Sequence, residues 1–211
     1  MITVFITDDH PLVSKGIRDM LSPYPSIQII GTFLSGAALL AGIKVQQPDV
    51  LLLDIQLPDM RGEEITLMLR KNFPDVKVLA LTNFNNTLYA SNMLKSGAFG
   101  YLLKNTDEET LVDAIETVYR GETYLSPDMK IRVEDFRKKI QRKTSSKASL
   151  TIREIEILTL LTKGFSNQQI ADELFLSKRT VENYRLNLTL KLEVKNTAGL
   201  VKYAVELGLD K

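Results

Sequence analysis

The chain reads as an α/β protein with a doubly wound, five-stranded parallel sheet, followed by a second, smaller all-α domain. Three observations predict this. Between residues 1 and 120, five short β-branched runs alternate with amphipathic stretches, the pattern of successive βα units. Charge then changes abruptly. Residues 1–127 carry 10 Lys and Arg against 15 Asp and Glu, net −5; residues 128–149 carry 8 against 3, net +5; residues 150–211 carry 9 against 8, net +1. An acidic half followed by a basic stretch argues for two domains with different partners. Beyond residue 150 the apolar positions recur only at helical spacing.

Taken in order, the first strand runs from Ile2 to Thr7 and ends in Asp8-Asp9. The other strands are 27–32, 50–54, 77–82 and 98–103, and the helices between and after them 11–21, 35–46, 61–72, 85–96 and 106–120. Pro23, Pro25, Pro48, Pro74 and Gly97 fall between these elements, where turns belong. Thr106 and Glu109 have the spacing of a capping box opening the fifth helix. A helix extension or a separate short helix is expected near 127–141, then a flexible, Ser/Lys-rich joint at 143–149. The domain limits are 1–124, a basic and partly helical linker 125–148, and 149–211. In the last part Ile152, Ile155, Leu158 and Leu161 share a face and Gly164 stops the helix. Ser166 caps a helix over 167–174, Ser177 caps 178–192, and Asn196 or Thr197 caps 198–207. Two helices joined by a short turn make a helix-turn-helix.

Composition excludes several functions. There is no cysteine, which removes disulfides and thiolate metal sites, and the one histidine, His10, makes a histidine-based metal centre improbable. No apolar run approaches membrane-spanning length, and no basic-then-apolar leader opens the chain. The expectation is a soluble cytoplasmic protein without membrane partners.

The chemistry concentrates at strand ends. Asp8 and Asp9 end the first run, Asp54 the third, Thr82 the fourth and Lys104 the fifth. In a parallel sheet these ends share one edge, where open α/β sheets bind ligands. An all-oxygen acidic cluster suits Mg²⁺, with Asp9 and Asp54 as direct ligands, Asp8 acting through water and the Gln56 backbone carbonyl as a third protein ligand. Asp54 is also placed as a nucleophile towards phosphorus, with Lys104 neutralising charge and the Thr82 hydroxyl donating to a phosphoryl oxygen. Haloacid-dehalogenase-type phosphatases need a second acid two residues after the nucleophile; Gln56 stands there, which disfavours that class. His10 either orients a donor or, the preferred reading, has a surface or helix-capping role.

Residues 1–120, through ITDDHPLV, LLLDIQLPDMRG, ALTNF and GAFGYLLK, resemble the receiver domain of a bacterial response regulator, a flavodoxin-like fold. Residues 150–208, through LTIREIEIL, GFSNQQIADEL, SKRTVENY and KLEVKNTAGLV, resemble the LuxR-type helix-turn-helix. Together they are similar to a NarL/FixJ-family transcriptional regulator. The resemblance implies a two-component system in which a sensor histidine kinase phosphorylates Asp54, Thr82 moves towards the phosphoryl group, and the aromatic at Tyr101 turns inward. It implies no turnover enzyme. It also implies dimerisation through the last helix, with Leu200, Val201, Ala204 and Leu207 belonging either to that interface or to the domain's own core. Asn83 departs from the small residue that receivers usually carry after the switch threonine.

Helix 178–192 is the expected recognition helix. Val181, Tyr184, Leu188 and Leu192 should face the core, leaving Lys178, Arg179, Glu182, Asn183 and Leu186 outward. Lys178 and Arg179 suit phosphate or guanine, Asn183 adenine, Glu182 cytosine and Leu186 a thymine methyl; Arg185, at the side, suits phosphate. Leu186 and Leu190 form an outward apolar pair. Two function classes fit: a phosphorylation-controlled, dimerising transcription factor that binds double-stranded DNA, or a phosphorylation-gated interaction adaptor whose helix-turn-helix no longer reads DNA. The near-neutral terminal domain keeps the second open, because nucleic-acid-binding domains usually show a basic footprint.

Overall fold

The computed structural model describes residues 1–143, 150–174 and 176–209. Two compact units, Met1–Arg137 and Lys138–Lys211, divide the chain. The joint expected at 143–149 lies almost wholly outside the described residues.

Apolar runs build the sheet of the first unit. β1 (Ile2–Thr7), β2 (Ile27–Phe33), β3 (Val50–Asp54), β4 (Lys77–Thr82) and β5 (Gly100–Leu103) pair in parallel, in the order β2-β1-β3-β4-β5. Every residue of β3 is buried, as a central strand covered on both faces requires. A sixth strand, β6 (Tyr124–Leu125), adds to the far side of β5, so the sheet has six strands and not the expected five. Two residues give too short an alternation for sequence reading to register.

Strand alternation sorts the side chains to two faces. Val4, Ile6, Val50, Leu52, Leu79, Leu81 and Leu102 form one core cluster with Ile17 and Leu21 of α1 (Pro11–Leu21) and Leu111, Ile115 and Val118 of α5 (Glu108–Tyr119). The opposite face is left to α2 (Gly36–Val45), α3 (Gly62–Asn72) and α4 (Thr87–Ser96), which bury Leu39, Ile43, Ile65, Leu69 and Met93. The helix ends follow local chemistry. The Ser35 and Asn86 side chains accept from first-turn N–H groups of α2 and α4, and Gly97 closes α4 at φ 109°, the left-handed cap favoured by glycine. The expected Thr106 capping box is corrected: Asp107 is the N-cap and accepts from Thr110 N–H. A carboxylate accepts more strongly than a hydroxyl, and the helix therefore starts one residue later.

After β6, α6 spans Pro127–Lys143. The second unit contains α7 (Ile152–Thr162), α8 (Asn167–Glu173), α9 (Lys178–Lys191) and α10 (Thr197–Glu206). Thr151 with Glu154 and Ser166 with Gln169 form full capping boxes, and Ser177 and Asn196 cap α9 and α10. Gly164, at φ 79°, ends α7 as expected. Val181 and Leu188 of α9 are buried; Tyr184 and Leu192, expected in the core, are only half-buried. Tyr184 lies towards the flank of the buried stripe, which Val181 and Leu188 centre, and Leu192 is the C-cap just beyond the last residue of α9.

Candidate functional site

Register brings the chemical groups together. Asp54 lies opposite Leu81, Thr82 lies opposite Leu103, and Lys104 N–H donates to the Thr82 carbonyl at 2.8 Å, continuing the ladder by one residue. The carboxyl ends of β1, β3, β4 and β5 therefore share one edge at the point where strand order reverses between β1 and β3. The chain leaves Asp54 through a tight loop. Gly62 N–H donates to the Ile55 carbonyl at 3.1 Å, and a Cβ on Gly62 would lie 2.8 Å from Ile55 Cα. Only glycine permits that approach.

Lys104 Nζ sits 2.7 Å from Asp54 Oδ2 and 2.7 Å from Asp8 Oδ2, with its side chain 7% exposed. Asp54 Oδ1 accepts from Gln56 N–H at 3.1 Å. Burial pushes the Asp54 carboxyl above its ordinary range and the Asp8 charge adds to this, against the pull of Lys104 and the Gln56 N–H. Burial also disfavours the Lys104 cation, but the hydrogen bonds and charges of Asp54 and Asp8 outweigh it and raise the amine's pKa. Thr82 is buried, and its Oγ1 accepts from Phe84 N–H at 3.0 Å.

Carboxylate oxygens of Asp8, Asp9 and Asp54 lie within 4.8 Å of one another and of a His10 nitrogen. Asp8 Oδ2 and Asp9 Oδ1 are buried atoms whose partners among the described residues are ion-pair contacts alone, Lys104 Nζ at 2.7 Å and His10 Nδ1 at 2.8 Å. Buried oxygens with lone pairs to spare fit a hard divalent cation. His10 is at the surface, with Nδ1 2.8 Å from Asp9 Oδ1, and although it occupies the N-cap position of α1 its side chain makes no capping bond. Its ring leans back onto the acid pair instead.

Tyr101 is buried and points inward: its hydroxyl donates to the Phe84 carbonyl at 2.7 Å. Burial raises the phenol's pKa despite the nearby Thr82 hydroxyl, Asn86 N–H and Arg132 guanidinium.

A family model described as the response regulator receiver domain matches residues 4–116, and one described as bacterial regulatory proteins, luxR family, matches 148–204. The chain belongs to the NarL/FixJ family of response regulators. It is similar to the oxygen regulatory protein NreC of Staphylococcus epidermidis, 38% identical over 215 residues that cover 98% of each chain. Among solved structures it is similar to the RcsB response regulator of Salmonella typhimurium, at 26% identity and TM-score 0.63 over 97% of this chain and 100% of that one. It is also similar to RcsB in a complex with DNA, at 26% identity and TM-score 0.61 over 97% and 98%. This response regulator is thus a transcription regulator with a receiver and a LuxR-type helix-turn-helix domain, not a turnover enzyme. Among the described residues no helix is long and apolar enough to cross a membrane.

In the second unit of the regulator, Lys178, Arg179, Glu182, Asn183 and Leu186 are all exposed on α9. Leu186 and Leu190 are 60% and 71% exposed, an outward apolar pair as expected. Arg185 is placed differently from the others. Its guanidinium donates to Asn167 Oδ1 at the start of α8 and to Thr197 Oγ1 at the start of α10. Leu200 and Ala204 are fully buried on α10, which packs against α7 and α9; Val201 is half-buried and Val205 exposed. Sequence reading missed Asp59, whose carboxylate accepts from Gly36 and Ala37 N–H, and Arg132. Arg132 sits in a basic run, where one arginine carries no signal of its own.

Proposed function

We propose that Asp54 is the phosphoacceptor of a two-component system whose sensor histidine kinase is the donor. The observation that carries this is the Lys104 ammonium held 2.7 Å from both Asp54 and Asp8 beside the buried Thr82. An Asp54 carboxylate oxygen forms the bond to phosphorus as the phosphorus–nitrogen bond to the donor's phosphohistidine breaks, and the imidazole leaves with a proton. Lys104 balances charge on the transferred group, and the Thr82 hydroxyl, released from Phe84 N–H, donates to a phosphoryl oxygen. Mg²⁺, held by Asp9, Asp54, the Gln56 carbonyl and, through water, Asp8, would neutralise the phosphoryl oxygens when bound. Incubation with acetyl phosphate and Mg²⁺ should add one phosphoryl mass to the wild type and none to Asp54→Asn; equal labelling of the variant refutes the assignment.

The functional parts are a receiver, 1–124, a linker, 125–148, and a DNA-binding domain, 149–211, working in the cytoplasm. The exposed side of α9 enters the major groove of double-stranded DNA, with Lys178, Arg179, Glu182, Asn183 and Leu186 towards the bases and phosphates. The DNA complex of RcsB supports this reading. Arg185 acts within the domain, binding α8 and α10 to α9. The phosphorylated regulator pairs with a second copy through α10, where Val201 and Val205 reach the surface beside the buried Leu200 and Ala204.

A further inference from the structure

The loop between β4 and α4 is gripped from two sides. From within the sheet, Thr82 Oγ1 accepts from Phe84 N–H at 3.0 Å and the Tyr101 hydroxyl donates to the Phe84 carbonyl at 2.7 Å. The next residue, Asn85, accepts through Oδ1 from Arg132 Nη2 of α6. Asn86, one further on, caps α4 by accepting from Leu88 N–H at 2.9 Å. Three consecutive residues thus join the switch side chains, the linker helix and α4.

Arg132 is prepared for this contact. Asp128, one turn earlier on α6, ion-pairs with its Nη2 at 3.0 Å, a spacing that orients side chains along a helix. The guanidinium is also close enough to the Tyr101 phenol to act on its charge. The start of α6 is tied to the same strand by another route: Leu125 of β6 pairs with Tyr101 of β5, and the Ser126 hydroxyl between β6 and α6 accepts from Met129 N–H at 3.3 Å. Arg132 Nε is nevertheless buried without an acceptor among the described residues. An unmet buried donor weakens an arrangement, so the latch is held by a small margin and responds to small changes at the loop.

We propose that Arg132 is a latch through which the first turns of α6 read the state of the receiver's switch. This rests on the assignment of Asp54 as phosphoacceptor. When the Thr82 hydroxyl turns to a phosphoryl oxygen it gives up Phe84 N–H, and the loop is then held by the inward Tyr101 and by Arg132 through Asn85. Freed from the Thr82 hold that coexists with the latch in this structure, the loop can settle onto Arg132, and the linker helix then docks more firmly in the phosphorylated state. A contact made better in one state biases the equilibrium towards it, and the bias is reciprocal: α6 docking favours phosphorylation as much as phosphorylation favours docking. The signal then leaves the receiver along the chain itself.

The test uses the full chain with Mg²⁺ and fluoroberyllate as the phosphoryl mimic, on wild type, Arg132→Gln, Asn85→Ala and the double variant. Bound mimic is read by its fluorine resonance and α6 opening by amide exchange over residues 128–136. In the wild type the mimic should raise α6 protection about fivefold, and Arg132→Gln should weaken mimic binding by the same factor. Asn85→Ala should reproduce both effects, and the double variant should be no worse than either single one. Unchanged exchange in β1, β3 and β4 shows that the variants remain folded. If the mimic binds but α6 exchange does not respond, or responds equally in the variants, the latch is refuted and the phosphoacceptor stands. If no mimic binds the wild type, the phosphoacceptor reading falls and the latch with it.

Discussion

Lys104 shows how much one side chain determines at the receiver edge. It is the cation nearest two buried carboxylates, and its hydrogen bond is the largest downward influence on the Asp54 pKa. Lys104→Ala should therefore raise that pKa further, and the loss of acetyl-phosphate labelling on acidification should begin at higher pH than in the wild type. Labelling profiles with the same acid limb would show that Lys104 does not tune the nucleophile. The variant should also weaken the dependence of DNA binding on phosphorylation. Asn83 is exposed next to Thr82, and on the proposed reading its amide would stand where water approaches the phosphoryl group. Asn83→Ala should shorten the lifetime of the phosphorylated state, measured by decay of the labelled protein; an unchanged lifetime removes Asn83 from any gating role. Lys104 was legible in the sequence because strand ends of a parallel sheet meet at one edge, and Asn83 because it departs from the pattern of the receivers the chain resembles. Arg132 was not, because its partner Asn85 lies 47 positions away and neither residue has a motif.

At the scale of elements, helix starts were read well and the links between elements were not. Ser166 and Ser177 illustrate the first, since a serine before a helical run is a local signal. Asp59 illustrates the second. It follows the strand bearing Asp54, yet its carboxylate accepts from Gly36 and Ala37 N–H at 2.9 and 2.8 Å, across 23 and 22 residues. It thereby ties the β3–α3 loop to the start of α2. Burial alone would raise this carboxyl, but the Ala37 and Gly36 N–H bonds outweigh it and hold it below the usual carboxylate range. A depressed folded pKa means stability present above the unfolded value of about 3.9 and lost as pH falls through the folded one. Asp59→Ala should cost about 1 kcal/mol near neutral pH, as loss of a cap does, and the difference from wild type should close in strong acid. Denaturant titrations at both pH values check this; a pH-independent difference would mean that the carboxylate is not the cause.

For the whole molecule, the proposed phosphorylation should act as a population shift with a coupling on the order of 1–3 kcal/mol, which would leave the unphosphorylated protein some activity. Light scattering and DNA titration with and without fluoroberyllate should show a higher mass and roughly tenfold tighter binding with it. Identical mass and affinity in both states would separate the receiver from its output. Because the terminal domain is near neutral, net +1 over residues 150–211, binding should weaken with salt less steeply than for a strongly basic domain.

The sequence alone determined the alternation of strands and helices, the chain positions of Asp8, Asp9, Asp54, Thr82 and Lys104, and the helix-turn-helix. Hydrophobic period, turn residues and caps are local, and a parallel sheet aligns its carboxyl ends by construction. Tertiary structure decided the rest. It added β6, too short to show a period, and it turned Tyr101 inward onto Phe84. It directed Arg185 to Asn167 and Thr197, and Arg132 to Asn85. Each of these is a choice of partner for a polar group, and several donors and acceptors of equal chemistry compete for every such group. Only packing, which fixes distance and excludes water, selects one.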